Sequence, residues 1–321
     1  MDLSGTTIPT LIPFFGRCPD YVKIALRSAD DFNNEVVLLG DDANRGFWKN
    51  HWDSSRVALP KWQQFKDAYV HMSAASQSFE MTVWRRPFVI EDWMRREGVR
   101  HAFVMDADTV TFANYSKVVA PAVPSECVAA LMTCEDQTGF DWATSLHFSY
   151  WTFEAIADFA SFCIEAYRDP AIRGRLQSKY RWHVENRQPG GICDMTLLYL
   201  WRERNEGRTW NAARVWNGMV ADAAVTTPDN CFKREYAARG GFKKLVFKNR
   251  VPYGFNKILG QEIRFVNVQC QGNSKPLMKS LYTPGRRQFY VELYHLRRAI
   301  ARTGLRSAAR SALRTVLRRS P

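Results

Sequence analysis

Two carboxylates one residue apart, Asp106 and Asp108, stand directly behind an apolar run in AFVMDADTVTF (residues 102–112). Acids at i and i+2 just past a buried strand can turn toward one point, and converging carboxylates are what a hard divalent cation with oxygen ligands demands. Mg²⁺ or Mn²⁺ held by one or two carboxylates takes its other ligands from water and from substrate phosphates. The bare D-x-D pattern fits a solvated turn equally well, so its surroundings decide its meaning. A second acidic stretch, GDD at 40–42, closes the apolar run EVVLL, and a G-x-x-K spacing places Gly272 and Lys275 in QGNSKP.

These residues need elements that deliver them to one place. TIPTLIPF (7–14) reads as a strand, residues 19–32 as a helix with Val22, Ala25 and Leu26 on its apolar side, and EVVLL (35–39) as a short buried strand. Strand, helix, strand at this spacing implies a parallel pair. A long helical pattern covers 78–97; Pro87 inside it is expected to kink or restart the helix, and Gly98 suits its C-terminal cap. HAFVM and CVAALMT (127–133) read as strands, residues 146–167 as a strand turning into a helix, and GGICDMTLLYLWRER (190–204) as a helix opened by two glycines. A late strand is expected over EIRFVNVQC (262–270). In open α/β sheets ligands bind at the C-terminal ends of parallel strands, where both GDD and DAD fall.

With 321 residues, 46% of them hydrophobic, the chain suits one large domain (1–285) carrying an appendage (286–321). Of the net charge of +13, residues 286–321 hold +9 through ten Arg and one Glu, so the body is only mildly basic. The seven cysteines form no C-x-x-C pair and no zinc-like spacing, which fits reduced thiols in a reducing compartment. The N-terminus has an acid at position two and Pro9 and Pro13 inside its apolar stretch, unlike a signal peptide. With no apolar run of roughly 18 residues, the expectation is a cytoplasmic protein that does not span a membrane.

In the order of these segments the chain resembles the metal-dependent, nucleotide-sugar glycosyltransferases of the GT-A fold. The segments are VVLLGDD, RRPFVIEDWM ahead of FVMDADTV, a Gly-Gly…Asp-Met-Thr helix start, and the closing G-x-x-K. The resemblance covers most of residues 7–280 and implies a Rossmann-related α/β fold with a mixed, mostly parallel central sheet flanked by helices. It implies hexosyl transfer from a UDP- or GDP-sugar to a glycan or lipid-linked acceptor of the cell envelope. By the same resemblance Asp106 and Asp108 hold Mn²⁺ or Mg²⁺ against the donor's diphosphate, Asp108 more directly. Asp41 then touches the base or ribose, a position where a turn cap is an equal reading, while Gly272 and Lys275 meet the diphosphate and Arg86 or Arg85 lies over it. Asp194 and Asp141 are the candidate catalytic carboxylates, facing sugar or acceptor, with Asp136 and Trp142 beside Asp141 in the expected acceptor loop; for Asp194 an ordinary helix N-terminal carboxylate serving the dipole is an equal reading. Many relatives carry a histidine metal ligand where this chain has Gln269, whose amide oxygen is a weaker ligand for the same ion.

Two other readings compete. DADTV also matches the nucleophile motif of haloacid-dehalogenase-type phosphatases, with Asp106 attacking phosphate. That motif normally sits on the first strand, whereas here a strand-helix-strand unit precedes it and the only partner acids, GDDAN (40–44), come in the wrong order. A non-enzymatic binder of carbohydrate or of an anionic surface explains neither the D-x-D nor the G-x-x-K. In the tail, Arg298, Arg302, Arg306, Arg310, Arg314 and Arg318 recur every four residues opposite Leu305, Ala309, Ala312, Leu313 and Val316. This reads as a basic amphipathic helix at 297–321 lying on the anionic inner face of a membrane, and no nucleic-acid partner is expected.

Overall fold

The structure, a computed structural model, describes residues 7–283. The basic segment 286–321, and with it the expected helix at 297–321 and its domain boundary, lies outside the described residues.

The chain begins with β1 (Thr10–Pro13), α1 (Asp20–Asp30), β2 (Val36–Gly40), β3 (His51–Asp53), α2 (Pro60–Ala68) and α3 (Gln77–Arg96). It continues through β4 (His101–Met105), β5 (Thr109–Thr111), a helical turn α4 (Tyr115–Val118), β6 (Ala129–Thr133) and β7 (Thr144–Thr152). Next come α5 (Phe153–Arg168), α6 (Pro170–Glu185), α7 (Asp194–Arg204), β8 (Thr209–Asn211) and β9 (Met219–Val220). The last elements are β10 (Ala238–Arg239), β11 (Phe242–Lys243), β12 (Leu245–Lys248), β13 (Val251–Asn256), β14 (Gln261–Phe265), β15 (Asn267–Gln269) and α8 (Leu277–Tyr282).

Seven strands form the central sheet in the order β3-β2-β1-β4-β7-β6-β8. β1 pairs parallel with β2 and β4, β2 with β3 and β6 with β8, while β7 runs antiparallel to both β4 and β6. The sheet is thus mixed and mostly parallel, with one reversed strand. Alternate residues of the central strands enter two different cores: Phe103 and Met105 of β4 pack on one face, Ala102 and Val104 on the other. Burial on both faces is why these strands read as unbroken apolar runs. On α1 the buried residues Val22, Ala25, Leu26 and Ala29 follow the helical repeat and cover one face. On the other face α2, α3 and α5 contribute an aromatic cluster of Phe65, Trp84, Phe88 and Tyr167.

Two expected elements come out differently. Residues 262–270 do not make one strand. Val266 interrupts them, leaving β14 in a four-stranded sheet (β12-β13-β14-β9) and β15 in a separate antiparallel ladder with β5. Pro87 does not restart its helix, which runs continuously from Gln77 to Arg96 after a side-chain cap from Ser76. Proline still removes one N–H, and the carbonyl it frees is that of Val83, four residues earlier.

Candidate active site

The D-A-D segment is a tight turn between β4 and β5. Asp106 N donates to His147 O (2.8 Å) on β7, and Thr109 N donates back to Asp106 O (3.2 Å). The β5–β15 ladder sets Gln269 opposite Thr109, and Cys270 N donates to Asp108 O (2.8 Å). Residues about 160 apart in sequence thereby share one wall. Asp108 Oδ1 and Gln269 Oε1 are both buried and, among the described residues, neither has a hydrogen-bond partner. Buried polar atoms are nearly always paired, so two acceptor oxygens without a donor suit a cation as the missing partner. Burial pushes the Asp108 carboxyl up to about 6, Asp106 adds to the rise, and Lys275 and the Gln269 amide pull it part of the way back. Among the described residues no three His, Cys, Asp or Glu side chains converge as a metal cage. A cation held by Asp106, Asp108 and Gln269 would therefore take its remaining oxygens from water or a substrate, as Mg²⁺ and Mn²⁺ sites that bind phosphates do.

Arg86 ties this turn to a second carboxylate. Its Nη1 donates to Asp106 Oδ1 at 2.5 Å and its Nη2 to Asp194 Oδ2. Its Nε donates to Val83 O (3.3 Å), the carbonyl that Pro87 leaves free. The Arg-Pro pair thus works as a unit: proline releases an acceptor inside the helix, and the preceding arginine uses it to aim its guanidinium. Burial opposes the charge, but Asp106 and Asp194 more than offset it and hold the guanidinium above its ordinary pKa.

Asp194, 4% exposed, opens α7, and its loop is fixed from below. Ile192 N donates to Met72 O (2.7 Å) and Ala74 N to Gly190 O (2.9 Å). Gly191 lies between them at φ +138°, and a Cβ there would overlap the Met72 carbonyl oxygen, so only glycine fits. Next to this loop Ser73 donates to Glu80 Oε1 (2.6 Å), while Glu80 Oε2 is buried and, among the described residues, without a partner. Burial raises the Glu80 pKa, and Asp194 raises it further.

Two cavities meet at the D-x-D. The larger, about 730 Å³, is lined by Asp106, Asp108, Arg86, Glu80, Asp194 and Gln269, with Asp141, Gln137, Asn230 and Lys233 around its outer part. The smaller, about 300 Å³, opens at the C-terminal end of β1 and is walled by Phe14, Phe15, Tyr21, Phe79, Ala107 and Lys275. Phe79, Val83, Arg86, Asp106 and Asp108 line both. Lys275 Nζ stands 3.6 Å from Asp108 Oδ2 and 4.8 Å from the centre of the Tyr21 ring, so it is poised between carboxylate and aromatic wall.

Of the residues singled out in the sequence, Asp106, Asp108, Gln269, Arg86, Asp194 and Lys275 are brought together, and Asp141 lies on the outer wall, 3.5 Å from Lys233. Gly272 lines neither cavity; at φ +59° it turns the chain ahead of Lys275. Asp41 lies apart from the cavities. Its Oδ2 accepts from Gly16 N (2.9 Å) and its Oδ1 from Ala43 N (3.1 Å), so both oxygens serve a turn cap. Arg85 points away from the D-x-D, bonding Ser54 Oγ at 2.9 Å and lying over Phe15. Trp142 is stacked on Tyr199 with Arg175 on its ring, and Asp136 accepts from Lys233 N. Neither Asp136 nor Trp142 lines the larger cavity.

Among the lining residues that escaped the sequence reading are Tyr21, Glu80 and His147. Tyr21 sits on an ordinary first helical turn, and Glu80 looks like any acid at a helix N-terminus, where it would serve the dipole. His147 is one residue of a mostly buried strand, and its role rests on contacts more than 40 residues distant.

No protein-family model and no curated protein matches the chain. Among solved structures it is similar to mouse xyloside xylosyltransferase 1 in its apo form, at 12% identity over 64% of this chain and 84% of that one, TM-score 0.46. It is also similar to a glycosyltransferase involved in glycosylating the major capsid of PBCV-1 (9% identity, 67% and 84% covered, TM-score 0.36). A third similar structure is the galactosyltransferase LgtC in complex with donor and acceptor sugar analogs (12%, 64% and 73%, TM-score 0.36).

Proposed function

We propose that the protein is a GT-A-type glycosyltransferase that takes a hexosyl group from a UDP- or GDP-sugar and passes it to a glycan or lipid-linked acceptor. The observation that carries this reading is the position of the D-x-D turn at the junction of two cavities, with Asp108 Oδ1 and Gln269 Oε1, both buried and without a hydrogen-bond partner among the described residues, belonging to residues that line the larger one. Asp106, Asp108 and Gln269 would hold Mn²⁺ or Mg²⁺ together with the donor's phosphates. When bound, the cation supplies Lewis-acid stabilisation of the negative charge on the leaving diphosphate.

The chain's own groups account for the rest. The aromatic walls of the smaller cavity, Phe14, Phe15 and Tyr21, suit the flat base of a nucleotide, and Lys275 faces the diphosphate as a point charge. In the larger cavity Asp194 and Glu80 present carboxylate oxygens to the hydroxyls of the sugar, and Arg86 fixes Asp106 and Asp194 in orientation. Asp141 and Lys233 stand at the outer rim, where an acceptor enters. Among the described residues no helix is long and apolar enough to cross a membrane, and contact with an anionic inner membrane face is assigned to residues 297–321.

A thermal-shift screen of UDP, GDP and their sugars with and without Mn²⁺ tests this. The expected result is stabilisation by one nucleotide family that requires the cation and disappears in Asp108→Ala. No response to any nucleotide, together with hydrolysis of a phosphomonoester, would hand the site to the phosphatase reading. Liposome flotation of a chain lacking 297–321 tests the membrane part, and unchanged binding to anionic vesicles contradicts it.

A further inference from the structure

Beneath the D-x-D lies a buried ion pair that the proposed reaction does not use. Lys243 and Asp222 are 0% and 1% exposed at their side chains, with Lys243 Nζ 2.7 Å from Asp222 Oδ1 and 2.7 Å from Ala224 O. Charges this deep are expensive to bury, and a well-packed apolar pair of similar volume is often equally stable or more so. Stability alone therefore gives little reason for the pair, whereas its connections give one.

Asp222 bonds the two segments that flank the D-x-D turn. Its Oδ2 accepts from Gln269 N (3.0 Å), its own N donates to Asn267 Oδ1 (2.9 Å), and its carbonyl accepts from His147 Nε2 (3.0 Å). A carbonyl only accepts, so His147 carries its proton on Nε2 and takes the Ser145 hydroxyl at Nδ1 (2.7 Å). The backbone carbonyl of that same His147 receives Asp106 N. Lys243 N donates to Val225 O (2.8 Å), and Val225 N to Gln269 O (2.9 Å). Both backbone groups of Gln269 are thus fixed by the 222–225 segment, and Asp106 is reached through a single histidine.

We infer that the Lys243–Asp222 pair is a positioning element that sets Gln269 and, through His147, the D-x-D turn at the spacing a divalent cation requires. The inference rests on the cation reading above. Lys243 holds the Asp222 carboxylate in one rotamer so that its second oxygen stays on the Gln269 amide, and its bond to Ala224 O fixes the 223–224 stretch of the larger cavity's wall.

The test is Mn²⁺ binding to the full-length protein, read from the electron paramagnetic resonance of free Mn²⁺ with excess UDP and, in parallel, excess GDP. In the charge-free pair Lys243→Met/Asp222→Ala the acceptor for Gln269 N is gone, and Mn²⁺ binding is expected to weaken tenfold to a hundredfold, as when outer-shell partners of metal ligands are lost. In Lys243→Met/Asp222→Asn an acceptor oxygen remains without the lysine that holds its rotamer, and affinity is expected to fall between wild type and the alanine pair. Asn267→Ala leaves both charges paired and frees the Asp222 backbone, so it should weaken binding in the same direction even if the alanine pair does not fold. Ile156→Ala, a buried truncation on the far core, should change melting temperature and leave Mn²⁺ affinity alone. Wild-type affinity in a folded alanine pair or in Asn267→Ala, or equal loss in the Ala and Asn pairs, overturns the inference while the cation reading survives. Failure of the wild-type protein to bind Mn²⁺ under any of these conditions overturns both.

Discussion

Asp108→Asn is expected to make the metal-free protein more stable and unable to respond to metal. Burial and the neighbouring Asp106 raise the Asp108 carboxyl from 3.8 to about 6, so the folded chain holds this proton more tightly than the unfolded chain does. The sign follows. Where the folded state binds more protons, stability falls as pH rises, here between about pH 4 and pH 6, and is level above that window. Roughly two pKa units at about 1.4 kcal/mol each make ionised Asp108 cost on the order of 3 kcal/mol at neutral pH, shrinking to under about 1 kcal/mol at pH 4. Asparagine keeps the shape without the charge. Thermal unfolding followed by circular dichroism in EDTA should place the variant roughly 6 °C above wild type near pH 7.5, at about 2 °C per kcal/mol for a chain of this size, and close to it near pH 4. Excess Mn²⁺ with the cognate nucleoside diphosphate should raise wild type and leave the variant unmoved. A variant that melts at or below wild type in EDTA near neutral pH, or a difference that does not change with pH, would refute the reasoning.

Three further substitutions probe the supports of the site. Arg86→Ala leaves Asp106 and Asp194 facing each other without their shared cation, and chemical denaturation should show a loss of about 3 kcal/mol or more, recovered in part by adding Asp194→Asn. Pro87→Ala returns an N–H to Val83 O and should hold or raise the melting temperature while Mn²⁺-dependent nucleotide binding, measured by calorimetry, weakens severalfold because Arg86 Nε loses sole use of that carbonyl. A variant that binds as wild type removes the role assigned to the Arg-Pro pair. Gly191→Ala combines a φ of +138° with overlap on Met72 O and should destabilise by about 2 kcal/mol or more in urea, with Asp194 displaced; an unchanged midpoint contradicts it.

Much of the scaffold was legible because parallel strands buried on both faces must be apolar throughout, and VVLL, HAFVM and AALM leave few other readings. The position of the acids at strand ends followed from the same runs. What stayed hidden depended on partners distant in the chain. The nine residues from Glu262 to Cys270 look like one strand, yet two different sheets claim the two ends, and the break at Val266 is what lays Gln269 against Thr109. A restart at Pro87 was expected because local rules count only the lost backbone bond, whereas here the helix continues and a side chain takes up the released carbonyl. Adjacent arginines were indistinguishable by type; one residue of helical rotation sends Arg86 to the carboxylates and Arg85 to Ser54. Asp41 illustrates the reverse case, an acid at the right end of the right strand whose oxygens are fully used by backbone amides.

The central claim is that Asp106 and Asp108 would hold a divalent cation that stabilises the diphosphate leaving a nucleotide-sugar. Its most direct measurement is the appearance of UDP or GDP from a panel of nucleotide-sugars incubated with the full-length protein and Mn²⁺. Release from one donor, abolished by EDTA, restored by Mn²⁺ and absent in Asp108→Asn, is the predicted result. Release that persists undiminished in EDTA or in Asp108→Asn, or no release from any donor while a phosphomonoester is hydrolysed, would contradict it.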